Sequence, residues 1–206
     1  MRAGHVIYKV RDLKQGVEEW RKKGFVVEYG SKKDPYNAII YFSEGPYIEL
    51  LASTGMPPIF KKLLRLLGLK GVVNRFDHWD SGENYWCGFC IEKDAGTLDE
   101  EIKQLGMYKR KGFYLKNAKR IDTKDRKLEY KCFFPAEISL PFLMSYFNID
   151  PKPKNFAHPN GYRRVSKIKF ATTTEAASVI NRLLMDPSVE IEVTGEPGIV
   201  KSVEFE

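Results

Sequence analysis

Apolar and polar positions along the chain follow a strand–helix–strand order near its start. Residues 3–10 alternate as a half-buried strand does. Asp12 then opens a predicted helix, with Gln15 three residues on as its capping-box partner and Gly24 as the residue that ends it. Three strands bounded by turn residues are predicted next, at 25–30, 36–43 and 46–52. The pattern predicts a β-α-β-β-β module over residues 1–52.

The same order returns in a second module over residues 83–150. Its helix is predicted to begin at Thr97 and to end at Gly106. Its strands are predicted at 85–93, 111–116, 126–135 and 140–149. When the first strands of the two modules are aligned, His5 falls on Trp86. Repetition of this kind favours an α+β fold built from two similar units.

Residues 151–206 are predicted to form a linker and a partial third unit. The unit consists of a strand at 165–171, a helix capped by Thr172, and two closing strands. Between the two full modules, residues 53–82 form an insertion. It places Phe60, Leu63, Leu64 and Leu67 on one face of an amphipathic helix. We expect that face to pack on the protein's own sheet; a lid over a pocket, a homodimer contact and a membrane surface are the alternatives.

Composition narrows the class of protein. No apolar run is long enough to cross a membrane. The first residues lack the apolar segment of a secretion signal, and three cysteines do not make a disulfide framework. These features predict a reduced, cytoplasmic protein.

The net charge of +7 is concentrated in one part of the chain. Residues 107–131 hold ten Lys and Arg against three acidic residues. Such a segment favours an anionic ligand, or else simply faces water as a charged hairpin. Nucleic acid is the less favoured partner, because no recognition motif accompanies the charge.

Two cysteines in the stretch NYWCGFC invite comparison with redox and zinc sites. Cys87 and Cys90 lie inside a predicted strand, not at a helix start where a thiol would be activated. Side chains three apart in a regular strand point to opposite faces. The sequence therefore predicts neither redox chemistry nor a zinc site here, with Cys87 on the helix side and Cys90 on the other face.

The strands also offer a histidine and a carboxylate. His5 lies in the first strand, and Glu49 interrupts the otherwise apolar strand YIELLA. A carboxylate there is costly to bury without a partner, and His5 is the obvious candidate. Imidazole and carboxylate are also common ligands of divalent metals. A simple His–Glu hydrogen bond and two solvent-facing polar residues are the alternatives.

The repeated β-α-β-β-β order, with His5 in GHVIYKVRDL and Glu49 in YIELLA, resembles the vicinal oxygen chelate superfamily. More narrowly, it resembles the glyoxalase-like domain proteins, together with LPF at 140–142 and HPNGYRRV at 158–165. The resemblance implies a curved, cup-shaped mixed sheet with helices outside. It also implies one divalent metal ion (Zn, Ni, Mn or Fe) held by His5 and Glu49. The second module offers only Trp86 and Met144 or Ser145 at the matching positions, so a site without metal is the alternative.

The resulting functional hypothesis is a glyoxalase-like protein that binds a small, oxygen-rich, anionic molecule in the cup. Metal-dependent lyase or isomerase chemistry would use His5 and Glu49 as catalytic residues. The alternative is a metal-free protein that binds or sequesters a small molecule without catalysis. The residues predicted to bind the substrate are Asn37, Tyr47, Trp86, His158 and Asn160.

Overall fold

The computed structural model describes residues 1–82, 84–105 and 111–206. The predicted helix end at Gly106 and residues 107–110 of the basic segment lie outside these ranges. The first module contains β1 (Arg2–Lys9), α1 (Leu13–Lys22), β2 (Glu28–Tyr29), β3 (Asn37–Ile40) and β4 (Tyr47–Leu51). The insertion contains α2 (Pro58–Leu66) and α3 (Lys70–Asp80). The second module contains β5 (Tyr85–Lys93), α4 (Asp99–Leu105), β6 (Gly112–Ile121), β7 (Lys127–Pro135) and β8 (Phe142–Ser145).

The eight strands of the two modules form one mixed sheet in the order β2-β3-β4-β1-β5-β8-β7-β6. In each module the first strand runs parallel to the fourth, and the two first strands meet antiparallel at the centre. The fold is therefore α+β with repeated modules, as predicted.

The sheet curls until its two edges come close together. Lys124, beyond β6, forms an ion pair with Glu28 of β2 (2.9 Å), and Lys32 does so with Asp125 (2.5 Å). Strands that twist and coil in one direction produce such a half-barrel. The curl gives the sheet a convex face and a concave face.

The convex face carries the larger apolar core. Val17 and Trp20 of α1 pack there, and so do Phe89 and Ile91 of β5. Asp12 caps α1 by accepting a hydrogen bond from the Gln15 amide (2.7 Å), as predicted. The Gln15 side chain bonds to Glu19 and does not complete a capping box.

The partial third unit also packs on the convex side. It contains β9 (Val165–Thr172), α5 (Thr174–Leu183), β10 (Val189–Val193) and β11 (Ile199–Phe205), with the strands in the order β10-β9-β11. Phe170 of β9 contacts Phe89 of β5 at 5.4 Å between ring centroids. The predicted cap, Thr172, is wrong by one residue, because Thr173 caps α5. Thr172 is the last residue of β9, and its hydroxyl donates to the Ser139 carbonyl.

The insertion crosses the concave side with two helices, where the sequence predicted one. Val72, Val73, Phe76 and Trp79 of α3 are buried against the concave face. The apolar face predicted for α2 is only partly packed. Leu64 is buried and Phe60 contacts Phe113, whereas Leu63 and Leu67 are exposed. It is thus mainly α3 that covers the concave face.

A bulge in β5 overturns the prediction for the two cysteines. β5 pairs with β1 through Ile7–Gly88 and then Tyr8–Trp86, so Cys87 is the extra residue. An extra residue shifts the alternation of side chains by one. Cys87 and Cys90 therefore both face the concave core. Both are free thiols, and burial raises the pKa of each.

Candidate functional site

A cavity of about 160 Å³ opens between the concave face of the sheet and α3. Strands of both modules form its floor, and Phe76 and Trp79 of α3 form one wall. Most of its lining is aromatic or aliphatic. Among the described lining residues, Glu49 and Arg120 supply the charged groups and His5 supplies an imidazole.

Adjacent parallel strands bring His5 and Glu49 together. β1 and β4 pair with His5 opposite Tyr47 and Ile7 opposite Glu49, so His5 and Glu49 are diagonal neighbours on one face. His5 Nε2 lies 3.5 Å from Glu49 Oε2. The two groups can therefore contact a single bound atom or molecule.

His5 is held as a neutral imidazole. Its ring stacks on Tyr47 at 4.4 Å and meets the edge of Phe142 at 5.1 Å. Burial, and then the positive charges of Arg120 and Lys152, lower the His5 pKa to about 3. Its Nδ1 is buried without a hydrogen-bond partner. The side chain thus has an unused polar atom at neutral pH.

Glu49 is oriented by an amide. Asn37 of β3 donates from Nδ2 to Glu49 Oε1 at 2.6 Å. Burial raises the Glu49 pKa, while the Asn37 hydrogen bond and the charge of Arg120 oppose that rise. The side chain is 16% exposed, which leaves it accessible from the cavity. A carboxylate of raised pKa is better suited to take and return a proton than an ordinary one.

Arg120 enters the cavity from β6, at the opposite edge of the sheet. Its Nη2 donates to the Tyr41 hydroxyl at 2.6 Å, and its Nη1 donates to the Gly30 carbonyl at 3.2 Å. The guanidinium also lies 5.4 Å from the centre of the Phe147 ring. Arg120 therefore connects the two sheet edges and places a positive charge at the site.

The second module carries different chemistry at the matching positions. β5 pairs with β8 through Cys90–Phe142 and Glu92–Met144, in the arrangement that β1 and β4 use for His5–Tyr47 and Ile7–Glu49. The counterpart of His5 is thus Cys90. The alignment that placed Trp86 opposite His5 was therefore wrong by four residues, more than the one extra residue of the β5 bulge explains.

These residues do not fit a metal ion held by the protein alone. Cys90 donates its thiol to the Ile91 carbonyl and keeps its proton, and Met144 offers only a thioether. Among the described residues, no cluster of three or more His, Cys, Asp or Glu could hold a metal ion. Protein zinc sites use three or four protein ligands. His5 and Glu49 supply only two ligands, and the positive charge of Arg120 lies in the same cavity.

The structure brings Asn37 and Tyr47 to the cavity but not the other three predicted binding residues. Trp86 packs on the convex face against Tyr8, at 4.9 Å between ring centroids. His158 lies on the same face, where its Nδ1 accepts a hydrogen bond from the Val26 amide at 3.0 Å. Asn160 donates to the Lys23 carbonyl at 2.9 Å. The HPNG loop thus anchors the end of α1 and does not reach the cup.

Among the cavity residues that the sequence did not predict are Arg120, Tyr36 and Tyr130. Arg120 is one of ten basic residues in the segment 107–131, and its position there does not distinguish it from the others. It also lies beyond residue 116, where the predicted strand ended, whereas β6 continues to Ile121. Within that longer strand, alternation puts Arg120 on the same face as the buried Ala118. The two tyrosines carried no signal of their own.

The sequence profile of the glyoxalase-like domain matches residues 4–184. The chain belongs to the glyoxalase-like domain family. Among solved structures, the domain is similar to a hypothetical protein from Staphylococcus aureus, with 15% identity and a TM-score of 0.60 over 98% of this chain and 89% of that one. That likeness concerns the fold alone.

Two further solved structures show weaker similarity to the glyoxalase-like domain. One is a xylose isomerase-like TIM barrel/4-hydroxyphenylpyruvate dioxygenase fusion protein, at 11% identity and TM-score 0.49 over 99% of this chain and 36% of that chain. The other is glyoxalase I from Zea mays, at 14% identity and TM-score 0.39, covering 88% of this chain and 54% of that chain. No curated protein matches the sequence. In the described part of the chain, no helix is both long and apolar enough to span a membrane.

Proposed function

We propose that this glyoxalase-like domain binds a small oxygen-rich molecule in the cavity and transfers a proton on it, with Glu49 as the base. The observation that carries the proposal is the contact between a carboxylate of raised pKa and a neutral imidazole inside a largely apolar cavity. Such pairs of titratable groups with displaced pKa values are typical of acid–base sites.

The two side chains have separate roles in this proposal. The Glu49 carboxylate takes a proton from a carbon next to a carbonyl, which breaks the C–H bond and leaves an enolate. The neutral imidazole of His5 has one N–H group and donates it to the oxygen on which negative charge develops. Return of a proton from Glu49 to the same carbon restores the substrate and exchanges that hydrogen with solvent. Where the carbon carries a hydroxyl group, the hydroxyl proton moves to the enolate oxygen and Glu49 returns its proton to the former carbonyl carbon, which completes an isomerisation. Asn37 keeps the carboxylate pointed at the substrate.

A divalent ion would supply Lewis-acid stabilisation to the same oxygen if the substrate completed its coordination. His5 and Glu49 alone are too few to retain it, so this form of the proposal requires substrate oxygens as ligands. Zn, Ni, Mn and Fe are the ions to test.

The direct test is deuterium exchange in heavy water. Pyruvate, 2-oxobutyrate and hydroxyacetone are incubated with tag-free protein, and loss of the proton signal next to the carbonyl is followed by NMR. We expect exchange above the buffer rate for at least one compound. Parallel samples with EDTA and with each divalent ion show whether a metal is required. Absence of exchange in every sample would contradict the proton-transfer role.

The second candidate function is binding without catalysis. It is favoured by the aromatic lining of the cavity, in which Phe76, Trp79, Phe134, Phe142 and Phe147 surround the polar pair. A compound that binds in EDTA but shows no exchange would support this function over the first.

A further inference from the structure

The positively charged side of the cavity, formed by Arg120, indicates the chemical class of the ligand more specifically than the His5–Glu49 pair does. Arg120 has five N–H groups, of which two donate to the protein, to Tyr41 and Gly30. Both acceptors are neutral oxygens. In the described part of the chain, no carboxylate forms an ion pair with Arg120.

Arg120 is half-buried, and a buried arginine elsewhere shows what a purely structural guanidinium looks like in this fold. Arg75 of α3 donates to three backbone carbonyls, those of Pro135, Glu137 and Leu140, at 3.1, 2.7 and 2.9 Å. Three of its five N–H groups thus donate to the chain around it, against two in Arg120, and it does not line the cavity. Arg120 differs because it borders the cavity with donors unused.

The neighbours of Arg120 are also suited to an anion. Tyr36 and Tyr130 line the same cavity; burial raises the pKa of both hydroxyl groups, and the charge of Arg120 opposes that rise only in part, so both keep their protons as donors. Hydroxyl groups next to a guanidinium supply further hydrogen bonds to an oxyanion. In the described part of the chain, Arg120 and Glu49 act on each other through their charges without a hydrogen bond between them, so an anion that enters can pair directly with the guanidinium.

We infer that the cavity takes a small monocarboxylate, with its carboxylate group on Arg120 and its adjoining carbonyl or hydroxyl group at His5 and Glu49. The ligand class is therefore a 2-oxo or 2-hydroxy acid. The planar guanidinium matches the two oxygens of a carboxylate. Arg120 is the one permanent cation among the described lining residues, which suits a single negative charge better than the double charge of a phosphate ester. This inference rests on the proposed function, since it assumes that the ligand reaches His5 and Glu49.

The test compares carboxylates with their uncharged amides. Pyruvate and pyruvamide, lactate and lactamide, and acetate and acetamide are titrated against the protein, and dissociation constants are read from ligand-observed NMR. Hydrogen bonds to a charged group are strong enough for a carboxylate to bind about 10- to 100-fold more tightly than its amide. We expect that preference for at least one carboxylate, and weaker binding of inorganic phosphate.

Three variants assign the preference to Arg120. Arg120→Gln should remove the difference between carboxylate and amide, and Arg120→Lys should retain part of it. Lys119→Gln is the matched control, because Lys119 loses the same charge from the same strand but is exposed and paired with Glu129 (3.5 Å). Since the readout is a ratio of two affinities, a partly destabilised variant still reports on the inference.

The outcomes separate this inference from the proposed function. Glu49→Gln should keep the carboxylate preference even where it stops exchange, so exchange can fail while the anion site stands. Equal affinity for acid and amide, tighter binding of phosphate, no binding of any carboxylate, or an unchanged preference in Arg120→Gln would each overturn the inference.

Discussion

The two modules share one connectivity but carry different chemistry on the concave face. The first places His5, Tyr47 and Glu49 on its central strands. The second places Cys90, Phe142 and Met144 at the matching positions. On the central strands, the His–Glu pair is thus confined to one half of a pseudo-symmetric site.

The difference shows what each module contributes. The second module supplies soft apolar side chains that stay uncharged, and its cation comes from the outer strand β6 in the form of Arg120. The first module supplies the acid–base pair. A site with two matching sets of ligands would hold an ion at its centre, whereas this one places a carboxylate and a guanidinium in a shared cavity.

The largest expected effect comes from removing the carboxylate of the first module. Glu49→Gln keeps the shape and still accepts the Asn37 hydrogen bond, but it cannot take a proton. We expect proton exchange to fall by about 10²- to 10⁴-fold, the usual contribution of a positioned base. The measurement is the NMR exchange rate, with exposed Glu44→Gln as the control. Exchange unchanged in Glu49→Gln would place the base elsewhere.

The second prediction concerns the pH dependence of folding. His5 has a folded pKa of about 3 against 6.5 for an ordinary histidine, so between these values the unfolded chain binds a proton that the native protein excludes. Stability is therefore complete above pH 6.5 and falls as the pH decreases through this window. Across this window the free energy of unfolding should decrease by about 3–5 kcal/mol, because each pKa unit corresponds to about 1.36 kcal/mol.

A substitution at His5 separates its contribution to the pH dependence of stability from the contributions of other titrating groups. His5→Phe keeps a ring against Tyr47 and removes the titration. Glu49 acts in the opposite direction, because its raised pKa lets the native state hold a proton and costs stability as the pH rises above 4.5. Urea unfolding at several pH values should show a shallower decline between pH 6.5 and 4 in the variant. Parallel curves for the two proteins would contradict a neutral buried His5.

How much of this was visible in the sequence depends on the element. The module repeat, the Asp12 cap and the His5–Glu49 contact follow from alternation and from helix signals, which are local. The bulge at Cys87 has only an ambiguous local signal, because a glycine such as Gly88 inside a strand marks either a bulge or a close approach of other groups. The contact of Arg120 with Gly30 and Tyr41 depends on how far the sheet curls, and neither the curl nor its closure is a property of any single segment.

The third prediction concerns a double variant in which the second module carries the same His and Glu side chains as the first. Cys90→His with Met144→Glu would place four His and Glu side chains on one concave face, enough for a divalent ion. We expect the double variant to be stabilised by Zn²⁺ or Ni²⁺, by about 2.7 kcal/mol when the ion is at 100 times its dissociation constant. Thermal unfolding with and without ion measures this. If the wild-type protein is stabilised equally, the two-ligand description of the natural site is wrong.

The smallest expected effect distinguishes the two faces of the sheet. His158 is as buried as His5, but it lies on the convex face among Phe25, Phe42 and Phe156, with Nδ1 bound to the Val26 amide. His158→Leu leaves that amide unsatisfied, so unfolding should become easier by about 1–3 kcal/mol. Because His158 does not line the cavity and interacts with the backbone of Tyr41 rather than with the hydroxyl that accepts from Arg120, exchange and the carboxylate preference should stay at wild-type values in the folded variant. A change in either one at a temperature where the variant is folded would show that the HPNG loop acts on the cavity through β3.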